Sequence, residues 1–263
     1  MKLALMFAFV LVFLSGAASA QGDEFRLVAT DAHSLESEIL GETIEVAVSP
    51  PFQYNASDAA FPLLLVLDGD VMFGMASEMP RLLSFEGKVP PMIVATVAYN
   101  NLNKWIQRRG LDFHSADGGA ENFFKALEEE ILPLLKEKYR VDESSVGLYG
   151  HSSAGLFAVF AGVQSPGLFT HILATSPSLE EEPDWAKSFL PLIEAAPKLP
   201  KFYFAADTSE TAVHEALAPS LAAIVAKSGA ELAKYERFDA GSHMSVIPAS
   251  YVAGLHFLFA PSR

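Results

Sequence analysis

The stretch VGLYGHSSAGLFAVF, residues 146–160, sets two serines side by side in an otherwise apolar run. Within it, Gly150-His151-Ser152-Ser153-Ala154 fits the pattern G-x-S-x-A. In a nucleophile elbow a serine occupies a strained turn between a strand and a helix, which holds its hydroxyl above the sheet edge. Small residues two before and two after the serine let the backbones pass closely. The helix that follows aims its N-terminus at the site, where the dipole favours developing negative charge. Ser152 is therefore the candidate nucleophile, and the Ser153 amide is one candidate oxyanion donor. A serine in an ordinary first helical turn is the plainer alternative. The match, however, falls at a predicted strand–helix junction, where the chemistry requires it.

A serine of this kind needs a base and an acid. Among the seven histidines, His243 stands in a loop, DAGSHMSVIP, after the last predicted strand and before the last predicted helix, with Gly241 and Ser242 supplying a flexible turn. Nucleophile, acid and base follow in that chain order in hydrolases built on an elbow. His256 falls inside an apolar helix and reads as a packed residue. His151 lies within the elbow and is expected to point away if Ser152 points in. His33, His114, His171 and His214 have no supporting context. The acid should follow the strand KFYFAAD, where Asp207 and Glu210 compete; Glu210 is preferred and Asp207 stays the alternative. Its work is to hold the imidazole tautomer and stabilise the imidazolium. A second oxyanion donor is expected after the strand LLLVLDGD, where Gly69 permits a tight turn and Asp70 offers an N–H. Plain Asp-Gly turn chemistry explains those residues equally well.

The elements that must position these groups are legible as runs of apolar residues. SEILGETIEVAVSPP alternates from Ile39 to Val48 and reads as one strand with a solvated face. FPLLLVLDGD, PPMIVATVAYNN, SSVGLYG, THILATSPS, KFYFAAD and AKYERFD read as strands, several of them continuous apolar runs that fit buried parallel strands. GGAENFFKALEEEILPLLKEKY, SAGLFAVFAGV, ALAPSLAAIVAKSG and SYVAGLHFLFA read as helices. The acidic run Glu128 to Glu130 reads as a solvated helix face and not as a metal site. Buried strands alternating with helices imply an α/β class: a mostly parallel central sheet covered on both faces.

The first 20 residues, with Lys2, an apolar run of about 12 residues and Ala18-Ser19-Ala20, read as a secretory signal peptide cleaved after Ala20. The run is shorter than the roughly 20 residues that span a bilayer. Residues 21–263 then form a single domain, expected in the periplasm or secreted. The net charge of −14 makes nucleic acid and anionic lipid poor partners. With no cysteine there is no disulfide, thiol nucleophile or thiolate metal site. No cofactor and no metal are implied; the expected partner is a small-molecule ester, with no membrane contact after signal removal and an unknown oligomeric state.

In the order they occur, LLLVLDGDVMF, GGAENFFKALEEEILPLLKEKYRVD, GLYGHSSAGLFAVF, LFTHILATSPS and GSHMSVIP resemble the putative esterase family of α/β-hydrolases. That branch includes enterochelin-esterase-like periplasmic hydrolases, esterase D and the mycolyltransferases. The resemblance runs from about Ser37 to Phe259 and implies an α/β-hydrolase fold. It places the nucleophile on Ser152, the base on His243 and an oxyanion amide on Asp70. It favours Glu210 as the acid, since the family often has Gly-x-x-Glu where this chain has Asp207-Thr208-Ser209-Glu210. The chain departs in three places: Ala154 and Asp207 stand where the family usually has glycine, and only Trp185 follows the Ser-Pro-Ser segment. QRRGLDF resembles an Arg-rich family loop, so Arg108 or Arg109 is expected to meet an anionic or catecholate substrate; an ion pair with Asp112 is the alternative.

These readings converge on a serine esterase acting through an acyl-enzyme, without a large lid, on a siderophore lactone or another bulky ester. Two alternatives stay open: an acyltransferase of the same architecture, and a non-catalytic hydrolase fold that binds a ligand.

Overall fold

The computed structural model describes residues 30–260, so the expected signal peptide lies outside the described residues. Eight strands form one sheet in the order β1-β2-β4-β3-β5-β6-β7-β8. They are β1 (Asp31–Ser37), β2 (Glu42–Ser49), β3 (Phe61–Val66), β4 (Ile93–Ala98), β5 (Val141–His151), β6 (His171–Thr175), β7 (Lys201–Asp207) and β8 (Ala233–Phe238). The β1–β2 and β2–β4 pairs are antiparallel, and every other pair is parallel. The helices are α1 (Gly69–Phe85), α2 (Leu102–Asp112), α3 (Gly119–Ala126), α4 (Leu132–Lys138), α5 (Ser153–Gln164), α6 (Pro183–Ala195), α7 (Thr211–Ser228) and α8 (Val246–Phe259). None of the described helices is long and apolar enough to cross a membrane.

The continuous apolar strands have the burial such runs imply. In β3, Leu63 and Leu65 join one core with Phe157, Phe202 and Phe204, while Leu64 and Val66 join a second with Tyr149, Tyr203, Tyr251 and Leu255. Successive side chains leave a strand on opposite faces, so both faces of this sheet need helical cover. Helices α1 and α8 cover one face, and α3 to α7 cover the other. Each fully buried Leu or Phe contributes about 1.5–3 kcal/mol, so the two cores are what keeps the strand ends in fixed register beneath the site.

Two expectations need correction. Ile39 to Val48 is not one strand. Ile39 and Leu40 lie in the turn of a β1–β2 hairpin, closed by Gly41 at φ +64°. The reason lies far away in sequence: Glu130 accepts the Ser37 hydroxyl at 2.5 Å and the amides of Glu38 and Ile39 at 2.9 and 3.2 Å. Glu130 is therefore a capping group for that turn and not part of a solvated face. It sits in a π-turn, Leu127–Ile131, between α3 and α4.

Candidate active site

Ser152 lies between the last residue of β5 and the first of α5. Its backbone sits at φ +61°, ψ −124°, a region that costs a non-glycine residue about 1–3 kcal/mol. Neighbouring segments hold it there. Its amide donates to the Thr175 carbonyl at 3.0 Å, and its carbonyl accepts the Leu156 amide at 2.9 Å. Gly150 is required, because a Cβ there would fall 2.0 Å from the Ala154 carbonyl oxygen. Ala154 itself is fully buried, so a methyl fits where the family usually has none.

His243 enters from the loop between β8 and α8, and its Nδ1 lies 2.5 Å from Glu210 Oε1. Against a carboxylate Nδ1 must donate, which leaves the Nε2 lone pair of the neutral ring free to accept a proton. Glu210 closes the loop after β7. Burial opposes its ionisation, but hydrogen bonds from the Ser176 hydroxyl, His243 and the Asp207 amide outweigh burial and lower its pKa. Both of its oxygens are thus committed.

The alternative acid, Asp207, does not bond to His243. It accepts the Ser209 hydroxyl and amide at 2.6 and 3.0 Å and the Ala240 and Gly241 amides at 2.8 and 2.9 Å. Those bonds, the Ser209 hydroxyl foremost, hold its carboxyl down to about 2. Asp207 therefore ties the Glu210 loop to the His243 loop.

Ser152, His243 and Arg109 line one cavity of about 190 Å³, walled largely by Val71, Met72, Trp105, Met244 and Ile247. The Ser152 hydroxyl faces the Ser178 hydroxyl at 3.2 Å and is not bonded to His243. Bonds between nucleophile and base commonly tighten only with substrate in place. A larger cavity of about 400 Å³ lies at the opposite edge of the sheet, lined by the first residues of β6 and β7, His171 and Lys201, and holds none of the expected site residues.

The amides of Ser153 and Asp70 are opening amides of α5 and α1, where a helix leaves its N–H groups without intrahelical partners. The turn into α1 is not made by Gly69 in a left-handed conformation. Asp68 takes that conformation, at φ +57°, and Gly69 is needed for close packing, since a Cβ there would lie 2.7 Å from the Val97 carbonyl. The Asp70 carboxylate accepts the Tyr99 amide at 2.9 Å and the Asn101 amide at 3.2 Å, which fixes the start of α1 to the β4–α2 loop.

Two groups, His151 and Asp68, were misread or missed, and Arg108 takes the ion pair that was one of its two expected roles. His151 does not point away from the site: it lines the same cavity as Ser152, and its ring lies 4.4 Å from that of His243. Arg108 does not line that cavity. It pairs with Asp112 at 2.5 Å, a carboxylate that also accepts the Tyr99 hydroxyl. Asp68 is nearly fully buried and accepts both the Trp105 indole N–H at 2.8 Å and Arg109 Nε. Only the aspartates flanking Gly69 could have drawn attention to it in the sequence.

Comparison with known proteins identifies the family and the fold. The family model described as "Putative esterase" matches residues 37–248. The ferri-bacillibactin esterase BesA of Bacillus subtilis is 25% identical over 189 residues, 63% of each chain. The apo-salmochelin esterase of Escherichia coli O6:H1 is 32% identical over 142 residues, covering 48% of this chain and 44% of that one. This chain thus matches less than two thirds of the length of either relative. Among solved structures, the BES protein from Bacillus cereus superposes with a TM-score of 0.76 at 24% identity, over 90% of this chain and 97% of that one. The siderophore hydrolase EstB from Aspergillus nidulans gives 0.76 at 22% identity over the same shares. The architecture is that of the α/β-hydrolases, and the segment joining β6 to α6, residues 176–182, leaves no inserted lid domain among the described residues. With four fifths of its length matched by the family model, the chain belongs to the putative esterase family.

Proposed function

We propose that this chain is a serine carboxylic-ester hydrolase, with Ser152 as nucleophile, His243 as general base and Glu210 as the acid that orients it. The observation that carries the reading is the Glu210–His243 bond, which leaves His243 Nε2 basic in the same small cavity as a serine held in a strained turn. His243 Nε2 takes the Ser152 proton as Oγ attacks the ester carbonyl. The resulting oxyanion is met by the Ser153 and Asp70 amides at two helix N-termini. His243 then passes the proton to the leaving alcohol, and water cleaves the acyl-enzyme by the same route in reverse.

The substrate class follows from the walls. Apolar side chains with a few converging polar groups suit an ester with an aromatic or aliphatic acyl portion. The short β6–α6 segment leaves the mouth open to a bulky molecule. The names of the relatives, esterases of bacillibactin and salmochelin, make a siderophore lactone the first substrate to try. The amino-terminal segment further points to action in the periplasm or outside the cell.

The test is a panel of catecholate trilactones and p-nitrophenyl esters of rising chain length, run with Ser152→Ala and Ser153→Ala. Ser152→Ala should lower turnover by at least about 10³-fold and Ser153→Ala far less. Activity that survives Ser152→Ala and disappears with Ser153→Ala would reject this assignment.

A further inference from the structure

The two candidate oxyanion amides belong to elements far apart in sequence, Asp70 on α1 and Ser153 on α5. Transition-state stabilisation needs such donors held to within a fraction of an ångström of their working positions. Something must fix one helix start against the other. We infer that Arg109 is the positioning residue that does so, an inference that rests on the serine-esterase reading of the same site.

All three guanidinium nitrogens of Arg109 are engaged, and each bond goes to a residue beside one of the two amides. Nε donates to both Asp68 oxygens, at 3.0 and 3.1 Å; Asp68 is the left-handed residue from which α1 springs, two residues before Asp70. Nη2 donates to the His151 carbonyl at 2.9 Å, and Nη1 to the Ser153 hydroxyl at 3.2 Å. Arg109 therefore grips the elbow on both sides of Ser152 and the root of α1 with the same planar group. Trp105, one turn earlier on α2, adds its indole N–H to Asp68 and fixes the carboxylate from a second direction.

The burial of the pair makes the brace stiff. Asp68 is 6% exposed. Burial pushes its carboxyl up, and Arg109 counteracts this. Removing the guanidinium leaves an unpaired buried carboxylate, which must take up a proton or move, and either change releases α1. Lysine cannot substitute: it is a point charge and cannot reach three partners in fixed directions. Each guanidinium nitrogen already donates to protein, so the group is held in a fixed plane by the elbow and by α1. The split between kcat and KM separates positioning from substrate contact through the two N–H groups that remain.

The experiment measures kcat and KM on p-nitrophenyl butyrate, and the rate of Ser152 phosphonylation by a fluorophosphonate, for wild type, Arg109→Lys, Arg109→Ala and Asp68→Asn. Phosphonylation of the wild-type serine checks the underlying reading by itself; a wild type that is not labelled overturns that reading and this inference with it. With labelling established, both Arg109 variants should lose about 10²-fold or more in kcat and in phosphonylation rate, with KM within about threefold. Guanidinium chloride at tens of millimolar should restore part of the rate to Arg109→Ala and none to Arg109→Lys. If Arg109→Ala does not fold, as read by circular dichroism, Arg109→Lys, which keeps the ion pair, decides. A rise in KM with kcat and phosphonylation unchanged would make Arg109 a substrate ligand and overturn the inference, as would no change in any of them.

Discussion

The imidazole of His151 packs against that of His243 with ring centroids 4.4 Å apart, and His151 Nε2 lies 2.9 Å from the His243 backbone carbonyl. A carbonyl only accepts, so Nε2 carries the hydrogen; whether the ring is charged is then set by its pKa. Burial, and then the nearby His243, lower its pKa to about 4. In the unfolded chain the same ring titrates near 6.5. As pH falls from 6.5 towards 4, the unfolded chain binds a proton that the folded chain refuses, so stability is lost across that window. The loss is about 3 kcal/mol. Denaturant melts at pH 7 and pH 4.5 check this: His151→Gln, which keeps a donor without titrating, should lose markedly less stability between the two. An equal loss in both proteins would show that His151 is not the group responsible.

Glu210 and Asp207 divide the work that the sequence left undecided between them. Glu210→Gln should cost kcat about 10³–10⁴-fold, because an amide no longer stabilises the imidazolium or fixes its tautomer. Asp207→Asn should cost kcat less and lower the melting temperature more, because it weakens acceptors for Ser209, Ala240 and Gly241 across two loops. Steady-state kinetics and thermal melts on the pair separate the roles; a larger kcat loss for Asp207→Asn would reverse them. Because hydrogen bonds outweigh burial and depress the Glu210 pKa, that carboxylate stays ionised through the usual glutamate range. Its contribution is lost only as pH falls below that range.

How much of this was legible depended on whether the signal was local. The elbow is local: strand, glycine, serine and helix adjoin in sequence, and Gly150 and Ser152 lie where the pattern puts them. The buried parallel strands were legible for the same reason, being uninterrupted apolar runs. Helix α2 was not, because Asp112 is its only buried residue and no apolar stripe marks it. The β1–β2 turn was not, because Glu130, between α3 and α4, closes it from 92 residues away. The choice between Glu210 and Asp207 turned on which carboxylate meets a ring 33 residues downstream of Glu210, which spacing cannot decide. Arg108 and Arg109 are adjacent in sequence, yet α2 turns one to Asp112 and the other to Asp68.

Ser178 is the resting partner of the Ser152 hydroxyl, 3.2 Å away, and it is buried. Where Ser152 is the donor, that contact must give way for His243 to take the proton. A neutral hydrogen bond is worth about 1 kcal/mol net, so Ser178→Ala should raise the rate of Ser152 phosphonylation by up to about fivefold. A fall in that rate would instead make Ser178 part of the arrangement that activates Ser152.

Gly150 and Ala154 make opposite demands on the same turn. A methyl at Gly150 would meet the Ala154 carbonyl oxygen at 2.0 Å, its carbon at 2.3 Å and the Gly155 amide nitrogen at 2.8 Å. All three are backbone atoms at the start of α5 and cannot swing aside as a flexible side chain would. Gly150→Ala must therefore shift β5 against α5 or open the turn at Ser152, costing about 1–3 kcal/mol or more and moving the nucleophile. Ala154→Gly removes a buried methyl from the first turn of α5 and adds backbone freedom, at a cost of about 1 kcal/mol, without touching the close approach. Gly150→Ala should thus lose nearly all turnover at a temperature where it is still folded, while Ala154→Gly keeps most of its activity with a slightly lower melting temperature. Full turnover by Gly150→Ala would mean that the tight turn is not what holds Ser152 in its working position.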